Sequence, residues 1–285
     1  MRIFLAGATG VVGRRLLPLL VGQGHHVTAL TRRTSDAESL RSLGAEAAVA
    51  DVFDVEGITR TIRNAAPDAV IHQLTDLAAG GDGGREANAV MRRTGTRNLM
   101  DAALAAGVRR VVAQSVAWAY EGGDTPATER TALDFGASGR RSTSVHGVAA
   151  LEEAVRDAPE WVVLRYGLLY GPATWFASGG PVARRARAGG LIADGDVSSF
   201  VHLDDAAGAA VAALEWPSGP VNVCDDEPAT GREWVPVFCA AVGAPAPALA
   251  TGRHAWARGA DNRYARERLD WTPRRRSWWD GLGAE

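Results

Sequence analysis

Three glycines carry the first recognisable chemistry. Gly7, Gly10 and Gly13 follow the apolar run Arg2 to Ala6. At that spacing the first allows a tight turn, the second lets a pyrophosphate approach the backbone, and the third lets a helix pack closely on the preceding strand. The helix opening behind them presents free N–H groups and a favourable dipole to phosphate. Thr9, Val11 and Val12 fill the spacing and belong to the same dinucleotide site. Arg32 and Arg33 stand at the end of the second apolar run, where an acid would bind the ribose 2′-hydroxyl of NAD(H); arginine instead accommodates a 2′-phosphate. The site therefore favours NADP(H), with NAD(H) as the alternative.

Those residues need a frame, and the sequence supplies one. Apolar runs at Arg2 to Ala6, His26 to Thr31, Ala45 to Ala50, Ala69 to His72, Val108 to Gln114 and Trp161 to Tyr166 read as strands. Helical patterns at Gly10 to Gln23, Glu86 to Ala106 and Ser142 to Asp157 lie among them. The alternation predicts an α/β fold, a Rossmann-like doubly wound parallel sheet with helices on both faces. Residues 1–171 would form mainly the dinucleotide-binding domain. Residues 172–285 would form a small C-terminal substrate-binding lobe, with 201–225 returning to the first domain. Glu121 to Thr143 has little apolar periodicity, and a loop of that length is expected to act as a lid.

Composition excludes several classes. The formal charge of −2 gives no electrostatic case for nucleic acid, and Arg274 to Arg276 reads as a solvated charge run. No apolar run approaches the roughly 20 residues that span a bilayer, and the short N-terminal apolar stretch lacks a cleavage site, so a cytoplasmic protein without a membrane partner is expected. Cys224 and Cys239 lack ligand spacing and read as two buried thiols, with no metal site. All 31 basic side chains are arginine, a bias that looks like a GC-rich bacterial genome.

Further segments give the chain a resemblance to the extended short-chain dehydrogenases/reductases, of the NAD-dependent epimerase/dehydratase group. Ala50-Asp51-Val52 resembles the segment that contacts adenine, Gly95 to Leu99 the helix leading into strand five, and Leu164 to Pro172 the segment lining the nicotinamide pocket. Phe200 to Ala206, Val221 to Val223 and Leu269 to Pro273 match the C-terminal half. The resemblance assigns Asp51, Val52, Leu74 and Tyr166 to the cofactor. It also implies a homodimer paired through the two long helices.

The resemblance fails where the family does its chemistry. Its catalytic tyrosine precedes a lysine by four residues, and the chain has no lysine. Anchored on Glu153, the tyrosine position holds Val145 and the lysine position Ala149; a one-residue slip gives Ser144 and Val148. A free tyrosine titrates near pH 10, so the lost cation removes both the acid's activation and a hydrogen bond to the nicotinamide ribose. Replacements offered by position are Ser115 and Tyr120 around strand five, and His146, whose ordinary pKa near 6.5 suits proton transfer. Trp118, Trp175, Phe176 and Phe200 fall where a substrate cleft is expected; the rings would hold a flat ligand or fill a core. Trp271, Trp278 and Trp279 read as packing anchors. The leading expectation is an NADP(H)-binding oxidoreductase or epimerase/dehydratase-like enzyme with a non-standard active site, acting on a small aromatic or polyketide-like substrate. A non-redox isomerase, cyclase or lyase, and an inactive cofactor-sensing or partner-binding protein, are the alternatives.

Overall fold

The computed structural model describes residues 1–77 and 81–282. Strands β1 (Arg2–Ala6), β2 (His26–Thr31), β3 (Glu46–Val49), β4 (Ala69–His72), β5 (Arg110–Val116) and β6 (Glu160–Tyr166) join the strand Gly219–Val223 in a seven-stranded sheet. From one edge the order is Gly219–Val223, β6, β5, β4, β1, β2, β3. The pairings β1–β2, β1–β4, β2–β3 and β4–β5 are all parallel. Because β1 lies between β2 and β4, the chain reverses its direction of travel across the sheet there. In open α/β sheets that reversal opens a ligand crevice at the carboxyl ends of the strands.

The helices that cover the sheet include α1 (Val11–Gly22), α2 (Ala37–Ser42) and α3 (Val55–Ala65). Helix α1 turns Val12, Leu16, Leu17 and Leu20 inward and starts at Gly10. Asp54 caps α3 by accepting a hydrogen bond from the Gly57 N–H at 3.0 Å, a favoured way to satisfy a free helix N–H. The expected long helix is interrupted: α4 (Gly81–Val90) passes through a π-helical turn, Met91–Gly95, into α5 (Thr96–Ala105). Helix α6 (Gly139–Val155) begins three residues earlier than its apolar pattern, so the C-terminal end of the expected loop is helical.

The chain divides into two compact units. The first comprises Met1–Ser115, Phe135–Leu164 and Ala207–Pro220; the second comprises Val116–Asp134, Arg165–Ala206 and the chain from Val221 onward. The core of the first gathers Phe4, Leu30, Ile58, Ile62, Val70, Leu99, Met100, Val111, Leu151 and Val163. That of the second gathers Tyr170, Phe176, Phe200, Val235, Phe238 and Trp278.

The part of the expected lid up to Asp134 is a fastened strap within the second unit. Glu121 N–H donates to Ala132 O and Asp134 N–H to Ala119 O. Gly123 and Ala127 N–H bond Ala255 O and Gly259 O, and Asp124 pairs with Arg253 at 2.8 Å. Its partners are mostly main-chain groups, so it needs no apolar period of its own. Both cysteines are buried and free. Among the described residues, no helix is long and apolar enough to cross a membrane, and no cluster of His, Cys, Asp and Glu has metal-binding geometry.

Candidate nucleotide and active site

The first unit holds a cavity at the carboxyl ends of β1 to β4, lined by Gly7, Thr9, Gly10, Leu30, Arg32, Ala50, Val52, Gln73, Leu74, Thr75 and Met91. Steric limits explain its glycines. Gly7 has φ +93°, and a Cβ there would lie 2.6 Å from the Gln73 carbonyl carbon; one on Gly13 would lie 2.1 Å from Gly7 O. Neither position admits a side chain. Gly10 starts α1 without a side chain to cap it, and no acid occupies the first helical turn, so the helix N-terminus faces the cavity as an anion-seeking end.

The opposite wall is braced from below. Leu74 N–H donates to His72 Nδ1 at 3.2 Å, and Gln114 Nε2 donates to Leu74 O at 3.1 Å. Asp76 N–H bonds Asn88 Oδ1, and Asn98 Nδ2 holds Val52 O at 2.8 Å. These contacts fix the segment after β4 and the segment after β3 at the cavity edge.

Of the expected cofactor residues, Gly7, Thr9, Gly10, Arg32, Val52 and Leu74 are thus brought together. Val12 and Gly13 are buried beneath the first turn of α1, and Val11 is half-buried. The two arginines separate: Arg32 faces the cavity and makes no ion pair among the described residues, whereas Arg33 pairs with Asp36 at 2.8 Å. Asp51 accepts from the Phe53 N–H at 3.0 Å, so it shapes a turn. Tyr166 belongs to the second unit, buried, with its hydroxyl 3.4 Å from Ala206 O.

The three proton-transfer candidates have defined surroundings. Ser115 is buried and its hydroxyl donates to Glu152 Oε1 at 2.8 Å. His146 is exposed on α6, with Nδ1 2.9 Å from Ser142 O and its ring edge-on to Phe135. Tyr120, in the second unit, is 1% exposed. Its hydroxyl donates to Asn222 Oδ1 at 2.5 Å and accepts from Arg165 at 3.0 Å, while the guanidinium lies over its ring. Asn222 N–H in turn bonds Glu129 Oε1, a carboxylate whose pKa burial pushes up.

The aromatic candidates divide. Phe176 and Phe200 are buried and meet Trp234 and Phe238 edge to face, so their rings serve the core of the second unit. Trp175 is half exposed and Trp118 partly buried. In the tail Trp271 and Trp278 are buried, while Trp279 is exposed and stacks on Trp278 at 4.5 Å.

Sequence reasoning passed over a polar group buried in the first unit. His72 is fully buried, its Nε2 2.8 Å from Thr96 Oγ1; burial, and then the charge of Arg92, hold its pKa down to about 4. Arg92, on the π-helical turn, is itself pushed down to about 10 by burial, with Glu152 opposing. Helical spacing was the available signal, since Arg92 lies four residues after Asn88 and four before Thr96, and Glu152 four after Val148, all of them buried.

Residues 3–224 match the NAD-dependent epimerase/dehydratase family. The chain belongs to that family. Within it, the chain is 42% identical over 309 aligned positions, spanning all of both proteins, to a 3-diazoavenalumate denitrifying reductase from a Streptomyces species. It is 31% identical to the 2-alkyl-3-oxoalkanoate reductase of Stenotrophomonas maltophilia, over 86% of this chain and 77% of that one. The fold of this family member is also that of the UDP-glucose 4-epimerase of Thermotoga maritima, solved with UDP-glucose (TM-score 0.77, 21% identity, 100% and 97% of the two chains). The Bordetella bronchiseptica enzyme WbmG, solved with NAD and UDP, is as similar (TM-score 0.77, 21% identity, 100% and 93%). Family membership makes the chain an oxidoreductase-like enzyme with an NAD(P)-type site. The glycine cradle and the helix N-terminus fit such a dinucleotide, because a Cβ at Gly7 or Gly13 would close the turn that receives it.

Proposed function

We propose that the chain is an NADPH-dependent reductase that removes the nitrogen of an aromatic diazo compound and leaves hydrogen on the ring. The observation that supports the reading is that the place of the family's tyrosine and lysine falls on Val145 and Ala149, or in the slipped register on Ser144 and Val148, in a chain without lysine. Carbonyl reduction needs a proton on oxygen as hydride reaches carbon, and neither register offers a tyrosine with a lysine to supply it. The two hydroxyls nearest in the family pattern are engaged, Ser115 with Glu152 and Tyr120 with Asn222.

An arenediazonium ion removes that requirement. It already carries positive charge and takes hydride at its terminal nitrogen, giving Ar–N=N–H. The C–N bond then breaks, N2 leaves, and the N–H hydrogen ends on the ring carbon. The arene gains the two electrons of the hydride, and no proton is drawn from the protein. Reduced nicotinamide supplies that hydride when bound. Whole-length similarity to a denitrifying reductase supports the same substrate class.

The chain's own residues bind and orient. Gly7, Gly10 and the start of α1 seat the pyrophosphate, Arg32 receives the 2′-phosphate, and the braced segment Gln73 to Thr75 forms the wall. The test uses a simple arenediazonium salt and NADPH deuterated at the transferring position. One N2 and one ring-deuterated arene per NADPH oxidised, above the protein-free rate, are expected. Persistence of the diazonium with NADPH unchanged sinks the reading. Arg32→Ala should weaken NADPH binding about tenfold or more and leave NADH unchanged.

A further inference from the structure

Arg92 follows the cavity-wall residue Met91 and is a buried guanidinium that faces the charge of Glu152 but lacks a hydrogen-bond partner. It is 4% exposed, its Nε has no hydrogen-bond partner, and it makes no hydrogen bond or ion pair among the described residues. A buried cation that makes no hydrogen bond costs stability even beside an opposite charge. Arginine stays charged at any working pH, so it cannot escape the penalty by losing its proton.

Three observations locate the missing partner. The π turn that carries Arg92 begins at Met91, a residue of the cavity wall; such single-turn insertions recur at functional sites. The Arg92 charge acts on His72, which ends β4 immediately before the wall residues Gln73 to Thr75. It also acts on Glu152, which holds Ser115 at the end of β5. Arg92 therefore belongs to the β4–β5 side of the glycine turn, while Arg32, Ala50 and Val52 belong to the β2–β3 side. A dinucleotide with its pyrophosphate at Gly7 and Gly10 and its adenosine toward Arg32 must direct its second nucleoside toward β4 and β5.

We propose that Arg92 binds the hydroxyl oxygens of the nicotinamide-side ribose, supplying from the helix after β4 the donor that Ala149 on α6 lacks. The inference rests on reading the cavity as a nicotinamide site. A guanidinium offers five donors in a fixed fork and no acceptor, which suits the lone pairs of neighbouring hydroxyls. The cost of its burial is offset when the ligand arrives.

The test compares the wild type with Arg92→Met, and with Arg92→Gln should the first fail to fold. Three probes are titrated by calorimetry: NADPH, reduced nicotinamide mononucleotide and 2′,5′-ADP. Ligand-free melting temperatures are recorded alongside. The variant should bind NADPH roughly ten- to a hundredfold more weakly, lose the mononucleotide to a similar degree, and bind 2′,5′-ADP unchanged. Unchanged NADPH binding overturns the assignment, as does an equal loss of 2′,5′-ADP, which would mark Arg92 as a support of the whole cavity. A wild type that binds 2′,5′-ADP but no reduced nicotinamide overturns this proposal together with the cofactor reading.

Discussion

Around the glycine turn of the first unit, the start of α1, Arg32 and Arg92 hold donors without hydrogen-bond partners among the described residues. In the second unit the polar groups around Tyr120 close on one another, although Asp225 Oδ2 does not. Tyr120 bonds Asn222 and Arg165, Asn222 bonds Glu129, and the rings of Phe176, Phe200, Trp234 and Phe238 pack together. A polar group retained without a protein partner costs stability and is intelligible as half of a contact with something else. A polar group with every bond made is intelligible as part of the fold. By that criterion the residues around the glycine turn point to a ligand, whereas Tyr120, which sequence position puts forward as a catalyst, is tied into a network of its own unit.

The sharpest way to break this contrast is to change one group on each side. Gly13→Ala puts a methyl group 2.1 Å from Gly7 O, so the turn must shift. A loss of about a hundredfold in NADPH affinity, roughly 2.7 kcal/mol, is expected, with about 1–3 kcal/mol of stability lost to overpacking. Tyr120→Phe leaves the Asn222 carbonyl and the Arg165 guanidinium short of a bond. It should cost about 1–3 kcal/mol in urea unfolding, and the folded fraction should bind NADPH as the wild type does. Weakened cofactor binding in Tyr120→Phe, with stability intact, would place function in the second unit after all.

Much of the frame was legible because its signals are local. β1, β2 and β4 fall on their apolar runs to the residue, and the glycine turn is specified by backbone sterics that no other residue type meets. The missed features depend on direction rather than pattern. Arg32 and Arg33 are neighbours in one polar turn, and only the folded chain shows that Arg33 swings to Asp36. The helical period runs on through Met91–Gly95, so the π turn leaves no trace in it. Phe176 and Phe200 carry the same signature whether they line a cleft or fill a core. The strap from Glu121 looked loose because its partners, near Ala255 and Gly259, lie far along the chain.

A smaller effect separates the units by pH. In the first, His72 titrates near 4 when folded against about 6.5 when unfolded. Its contribution to stability is therefore full above about pH 6.5 and falls as the pH drops through 4. In the second, burial first and the neighbouring charges of Glu227 and Asp226 next raise Asp225 to about 8, and its Oδ2 has no hydrogen-bond partner. The folded state holds that proton while the unfolded chain releases it above about pH 4. Asp225 thus contributes fully below pH 4, and its contribution falls as the pH rises through 8. Urea unfolding from pH 4 to pH 9 should show an acid limb that flattens in His72→Asn and an alkaline limb that flattens in Asp225→Asn. The slope of each limb is the readout, because either substitution also shifts absolute stability. An alkaline limb unchanged in Asp225→Asn would mean that Asp225 is ionised in the fold and that the second unit, like the first, keeps a charged group waiting for a partner.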